Sequence, residues 1–304
     1  MKTEKYLIVI AGPTAVGKTA LGIDLAEYLN TMVLSADSRQ FYKEMSIGTA
    51  KPSAEQLTRV KHHFIDNKSI SELYGAGHFE KDALSLLNDL FKTHNAVVVV
   101  GGSGLYIDAL LNGVDDFVEV PFEVRQDLNE QFKEKGMAWL QAEVKQLDPN
   151  YYAVADVYNP QRLVRALEVC VYTGKAYSSF LNQPKIERPF SAIKILITSE
   201  REKLYANINH RVDEMMQAGL LDEVKSLAAY KHLNALKTVG YKELYAYLDG
   251  SYSLETAVDK IKQHTRNYAK RQLTWFKNQD DFERFAPDEL HKIKAYLDII
   301  MQEA

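Results

Sequence analysis

At 304 residues the chain exceeds the usual single-domain size, and its 46% hydrophobic and 26% charged residues are ordinary for a soluble globular protein. A single cysteine, Cys170, excludes a disulfide framework and any cysteine-based zinc site, and no apolar run approaches the roughly 20 residues that span a bilayer. The net charge of −4 does not advertise a nucleic-acid binder, and the apolar stretch of MKTEKYLIVIAG is too short for a secretory signal, so the cytoplasm is the default.

The apolar run Leu7 to Ala11 reads as a first buried strand and feeds into Gly12-Pro-Thr-Ala-Val-Gly17-Lys18-Thr19, which fits G-x-x-x-x-G-K-[ST]. Helical periodicity resumes at Leu21, Leu25, Ala26 and Leu29. Strand, glycine loop and helix N-terminus make a cradle of backbone N–H groups for a phosphate or diphosphate. Lys18 adds a full positive charge, and Thr19 can ligate Mg²⁺.

Met32–Ala36 reads as a second strand ending in Asp37-Ser38-Arg39-Gln40. Polar residues at a strand's carboxyl end lie at the ligand crevice of an α/β sheet, where Asp37 is either a base, a metal ligand or a helix cap. Ile47–Ser53 is turn-rich, and His62–Asp66 is a short third strand. The two adjacent histidines point opposite ways on it, which argues against a metal site. Gly77–Lys92 is helical. Ala96–Val100 is a central buried parallel strand followed by Gly101-Gly102-Ser103-Gly104-Leu105-Tyr106. A Walker-B Asp usually ends such a strand in a P-loop ATPase or GTPase, so its absence disfavours nucleotide hydrolysis.

From Asp115 to Pro184 the strand signal disappears, and the stretch reads as a helical insertion. Arg125–Leu147 is one long helix, and Gln161–Tyr172 carries Arg162 and Arg165 on or near one face. Cys170 reads as a small core residue. Ala192–Thr198 returns to strand, and Leu204–Tyr230 is helical with a break at Gly219. Between Lys260 and Gln279 stand Lys260, Lys262, Arg266, Lys270, Arg271 and Lys277, with no acid among them. Such an unopposed block suits a phosphate backbone. Lys262, Arg266 and Lys270 recur at intervals of four, which puts them on one helix face, while Trp275 and Phe276 read as core more than as stacking platforms.

Taken together, GPTAVGKT, ADSRQ (Ala36–Gln40), IGTAKPS (Ile47–Ser53), HHFID, GGSGLY, QRLVRALEV (Gln161–Val169), TVGY (Thr238–Tyr241) and KRQLTWF (Lys270–Phe276) resemble the bacterial type of the tRNA dimethylallyltransferase, or tRNA isopentenyltransferase, family. The blocks run in order over about nine-tenths of the chain. Two departures are Ser103 where Thr is commoner and Ala176 where Pro is usual. The resemblance implies a P-loop NTPase-like parallel α/β sheet flanked by helices over residues 1–114 and 185–304, with a helical insertion domain over 115–184 that contacts tRNA. It implies transfer of a dimethylallyl group from dimethylallyl diphosphate to N6 of the adenosine 3′-adjacent to the anticodon, with Mg²⁺, by a cytoplasmic monomer that grips the tRNA anticodon stem-loop.

Carried over by position, Gly12, Pro13, Thr14, Ala15, Val16, Gly17, Lys18 and Thr19 hold the diphosphate. Asp37 is the general base, and Arg211 assists the leaving group beside Lys18 and Thr19. Contacts to tRNA fall on Asp37, Ser38, Arg39, Gln40, Ser103 and Arg125. They continue through Gln161, Arg162, Leu163, Val164 and Arg165, then Thr238, Gly240 and Tyr241, and end on Lys270 and Arg271. The nearest rival reading is prenyl transfer to free AMP, which would leave the insertion arginines and basic helix without a role. A P-loop small-molecule kinase and a non-enzymatic RNA-binding protein are further alternatives.

Overall fold

The computed structural model describes residues 4–114, 120–181, 187–279 and 281–302. In chain order the elements are β1 (Tyr6–Ala11), α1 (Lys18–Tyr28), β2 (Val33–Ser35), α2 (Ala54–Arg59), β3 (His62–His63), α3 (Ala76–Leu90), β4 (Ala96–Gly101) and α4 (Gly104–Asn112). There follow α5 (Phe122–Leu147), α6 (Pro149–Val154), α7 (Pro160–Thr173), β5 (Ser191–Ile197), α8 (Arg201–Gln217) and α9 (Leu220–Ser226). The chain closes with α10 (Tyr241–Leu248), α11 (Leu254–Lys277), β6 (Glu283–Phe285) and α12 (Leu290–Gln302).

The apolar runs form a six-stranded parallel sheet in the order β3-β2-β4-β1-β5-β6. β1 lies inside it, buried along its whole length, because continuous apolar sequence has no face to give to water. One apolar layer packs each side of the sheet: Leu7, Val9, Phe79, Leu87 and Phe276 on one face, Ile8, Ile10, Leu25, Ile208 and Leu297 on the other. Register sets Ala11 beside Gly101, and Ser35 beside Val100. The segments leaving the carboxyl ends of β1, β2 and β4 therefore emerge side by side, at the edge where open α/β sheets bind ligands. The three-residue edge strand β6 is too short to show alternation in the sequence.

The chain divides into one compact unit of Met1–Gly113 with Glu187–Ala304, and a second of Val114–Ile186. The expected boundaries at 115 and 184, and most of the acidic stretch from Asp115, lie outside the described residues. The second unit packs α5, α6 and α7 around Leu128, Leu140, Val144, Leu163 and Leu167. The single helix expected over Arg125–Leu147 is kinked, since Gly136 at φ 76° has non-helical geometry inside α5. Asp148 is fully buried and caps α6 by accepting the Tyr151 N–H at 2.9 Å, while the Ser178 hydroxyl donates to it at 2.9 Å.

Candidate active site

The turn after β1 passes through two left-handed residues, Ala15 at φ 64° and Gly17 at φ 104°, before α1 starts at Lys18. Gly17 offers no side-chain cap, so the first-turn amides of α1 remain open to an anion. Thr14 is held on two sides. The Arg211 Nη1 of α8 donates to its hydroxyl at 3.1 Å, and its own N–H donates to Gln272 Oε1 of α11 at 2.9 Å. Lys18 Nζ donates to the Pro13 carbonyl at 2.6 Å. Thr14, Lys18, Arg211 and Gln272, with Thr19, Asp37 and Tyr268, line a cavity of about 260 Å³.

Asp37 faces the same cavity from the end of β2. Its Oδ1 accepts the N–H groups of Arg39 at 2.8 Å and Gln40 at 3.2 Å. Oδ1 thus fixes the turn as a cap, and both turn amides fall on that one oxygen. Burial pushes the carboxyl above its ordinary pKa, opposed by the two turn amides and by the Lys18 charge. Burial also pushes Lys18 down to about 7, with the nearby Arg211 charge adding to the effect, and it lowers Arg211 itself. Two destabilised cations and one carboxylate stand around one space, the pattern expected where an anion will arrive.

A second cavity, about 620 Å³, shares Thr14, Asp37, Arg211 and Tyr268 with the first. Its farther wall carries Arg39, Thr238, Gly240, Lys260, His264 and Arg271. Ser103 ties two lining residues together: its Oγ accepts the Ser38 N–H at 3.2 Å, and its hydroxyl bonds the Tyr268 phenol. Burial, and then the Asp37 charge, push that phenol up to about 12, so it stays a neutral donor. The guanidinium Nε of Arg39 is buried with no hydrogen-bond partner, an orphan donor beside the cavity it lines.

Three residues expected to contact tRNA, Gln40, Tyr241 and Gly240, bond to other parts of the protein. Gln40 Nε2 donates to the carbonyls of Thr49 and Ala50, at 3.3 and 3.1 Å, and its Oε1 accepts from Ser35, so the amide ties two loops together at the wall of the first cavity. Tyr241 is fully buried, and its hydroxyl donates to Glu223 at 2.6 Å. Glu223 also accepts the N–H groups of Ser46, Ile47 and Gly48, which makes the TVGY tyrosine part of a clamp on the Ile47–Ser53 loop. The Gly240 N–H donates to Glu243 at 2.7 Å, and the other Glu243 oxygen bonds His264.

The basic helix also differs from its reading. Lys262 pairs with Asp213 of α8 at 2.6 Å, and Arg266 donates to Asn209 of the same helix at 2.6 Å with its guanidinium over the Tyr205 ring. That face is therefore packed against α8. Lys270 and Arg271 are exposed, and Arg271 lines the larger cavity. Phe276 is fully buried and Trp275 packs against the core, as expected of core aromatics.

In the second unit, Arg125 forms a fork to Glu168 at 2.5 and 2.6 Å, and Arg165 pairs with the same fully buried carboxylate. Leu163 and Val164 lie in that unit's core, so their side chains cannot meet RNA. Gln161 and Arg162 are exposed and line a concavity of about 430 Å³ with Tyr151 and Arg165.

The family model described as IPP transferase matches residues 40–279. The chain belongs to the IPP transferase family. A tRNA dimethylallyltransferase of Christiangramia forsetii is 53% identical over 95% of this chain and 96% of its own. The tRNA dimethylallyltransferase 1 of Bacteroides thetaiotaomicron is 48% identical over 96% and 94%. Among solved structures, the tRNA isopentenylpyrophosphate transferase of Bacillus halodurans superposes with a TM-score of 0.73 at 36% identity, covering 99% of this chain and 97% of that one. A eukaryotic dimethylallyltransferase acting on tRNA superposes at 0.80 with 28% identity, covering 94% and 75%.

The IPP transferase match begins after the phosphate loop, so it does not rest on the Gly12–Thr19 motif. No carboxylate follows β4 where a Walker-B aspartate would stand; Gly102 and Ser103 do. Among the described residues no cluster of three or more His, Cys, Asp or Glu could hold a metal ion. A hydroxyl such as that of Thr19, completed by substrate phosphate oxygens and water, is the sparse donor set that Mg²⁺ accepts.

Lys18 carries a pH expectation. Its folded pKa is lowered, so in the ligand-free protein its charge is present below about pH 7 and lost above. A diphosphate favours the charged form. Pyrophosphate affinity should therefore fall as pH rises from about 6.5 to 8.5, by up to about tenfold per pH unit once Lys18 is neutral. Calorimetry in buffers of different ionisation enthalpy should show proton uptake on binding; a flat affinity would remove Lys18 from the site.

Proposed function

We propose that this protein transfers the dimethylallyl group of dimethylallyl diphosphate to N6 of the adenosine 3′-adjacent to the anticodon of tRNA, releasing diphosphate. The observation that carries the reading is the meeting of two cavities at Asp37. One is built from a phosphate loop with two cations, and the larger one opens beside exposed basic side chains. The donor sits in the first, and the acceptor base enters through the second.

The new bond joins N6 to the allylic carbon, and the bond from that carbon to the diphosphate oxygen breaks. The N6 proton goes to Asp37 Oδ2, the oxygen its turn leaves over. The loop amides, Lys18 and Arg211 stabilise the charge that develops on the leaving diphosphate. Mg²⁺, held by Thr19 and the diphosphate, would neutralise further charge there. An adenosine reaches this depth only if it leaves the anticodon loop, and unstacking costs a few kcal/mol. Arg39, with its unpartnered Nε, and Tyr268 are placed to bind the extruded base and offset that cost. Both cavities are lined by residues of the first compact unit, and no described helix is long and apolar enough to cross a membrane.

The stem-loop backbone then meets Lys270 and Arg271. Replacing both by Ala should lower the log–log slope of tRNA affinity against salt by about 0.7–0.9 for each lost phosphate contact. Lys262→Ala should leave that slope unchanged, because its ammonium is paired with Asp213. The reverse pattern would place the RNA on the α8 side. The substrate itself is tested by offering unmodified tRNA, AMP and ATP in turn with dimethylallyl diphosphate and Mg²⁺. Prenyl transfer to tRNA alone is expected. Prenylated AMP, or transfer of the ATP γ-phosphate, would contradict the reading.

A further inference from the structure

Gln272 is 6% exposed on a helix whose neighbouring Arg271 faces solvent. Both ends of its amide are taken by main-chain groups of two different loops. Its Oε1 accepts the Thr14 N–H at 2.9 Å, and its Nε2 donates to the Gly102 carbonyl at 2.8 Å. A Cβ added at Gly102 would stand 2.3 Å from Nε2, so this approach requires the glycine there. One helical turn earlier, Tyr268 points into both cavities from the same face of α11. Thr14 belongs to the diphosphate side with Arg211, and Gly102 precedes Ser103, which orders Ser38 and Tyr268 on the acceptor side.

We infer that Gln272 is a positioning residue for the transfer reaction: it fixes the start of the phosphate loop against the Gly102–Ser103 turn, and so sets the donor's allylic carbon against the acceptor amine. It acts through Thr14 and Gly102, whose main-chain groups take both ends of its amide. The inference rests on the diphosphate reading of the loop. Misplacement of a reacting pair lowers turnover without weakening RNA contacts made elsewhere.

Two variants separate this role from packing. Gln272→Met keeps the volume and loses both bonds. Gln272→Glu keeps the acceptor for Thr14 and recovers the donor to Gly102 only when protonated, and burial raises that carboxyl's pKa. Gln272→Met should lower kcat about 10–100-fold, the range for losing a group that orients reacting groups, with the tRNA KM within about twofold. The kcat of Gln272→Glu relative to wild type should rise as pH falls, while the Gln272→Met ratio stays flat. A pH-independent Gln272→Glu ratio, a Gln272→Met enzyme of wild-type kcat, or a loss confined to the tRNA KM would overturn the inference. If the wild-type protein itself transfers no prenyl group, the diphosphate reading fails and the inference fails with it.

Discussion

Asp37→Asn lowers turnover by about 10²–10⁴-fold, the usual loss on removing a general base. The substitution is well matched to the geometry. Asparagine Oδ1 can still accept the Arg39 and Gln40 amides, so the turn after β2 persists, and only the oxygen that would take the N6 proton is replaced. The measurement should be made near pH 6.5. The Asp37 charge supports protonation of Lys18, and its loss lowers the Lys18 pKa further, so at higher pH a binding defect would mix with the chemical one. At low pH the affinity for dimethylallyl diphosphate should stay within a few-fold of wild type while single-turnover rates fall. The opposite outcome, weak binding with turnover preserved at saturation, would make Asp37 a ligand to the donor or its metal.

Lys18→Ala is expected to harm both binding and chemistry. The ammonium lies in the loop beside Pro13, in a cavity shared with Arg211, and a diphosphate there carries charge before and during departure. A charge-assisted hydrogen bond is worth about 1.5–3 kcal/mol, which corresponds to roughly 10–150-fold in affinity. The share that grows in the transition state should lower kcat by about a further 10²-fold, as for one lost oxyanion donor. The part of the pH dependence of pyrophosphate binding that arises from Lys18 should be absent in the variant, leaving only the titration of the ligand itself. Turnover within a few-fold of wild type would mean that Arg211 and the loop amides suffice.

The sheet was legible where the chain is apolar without interruption, at β1 and β4, and the phosphate loop announced itself by residue type and flanks. Asp37 was legible as cap, base or metal ligand, and the structure shows the cap, with the carboxyl facing the cavity. What sequence could not give was direction. A spacing of four puts Lys262, Arg266 and Lys270 on one face, but says nothing of Asp213 and Asn209, which turn that face toward α8. Leu163, Val164 and Tyr241 sit inside motifs that read as RNA contacts, yet burial makes them structural. Glu223, Tyr268 and Gln272 were missed for a related reason. Their partners lie far off in the chain, 258 residues away for Gln272 and Thr14, and no local pattern carries such a pairing.

The central claim is that the prenyl group reaches one exocyclic amine of one nucleoside in tRNA. Unmodified tRNA, treated with the wild-type protein, dimethylallyl diphosphate and Mg²⁺, should be digested to fragments and nucleosides, and the product located and identified by mass and by comparison with an authentic standard. The account predicts a single N6-dimethylallyladenosine, 3′-adjacent to the anticodon, and almost none with Asp37→Asn. A prenyl group on another position of the tRNA, on a ring nitrogen, or present at equal yield with Asp37→Asn would contradict it.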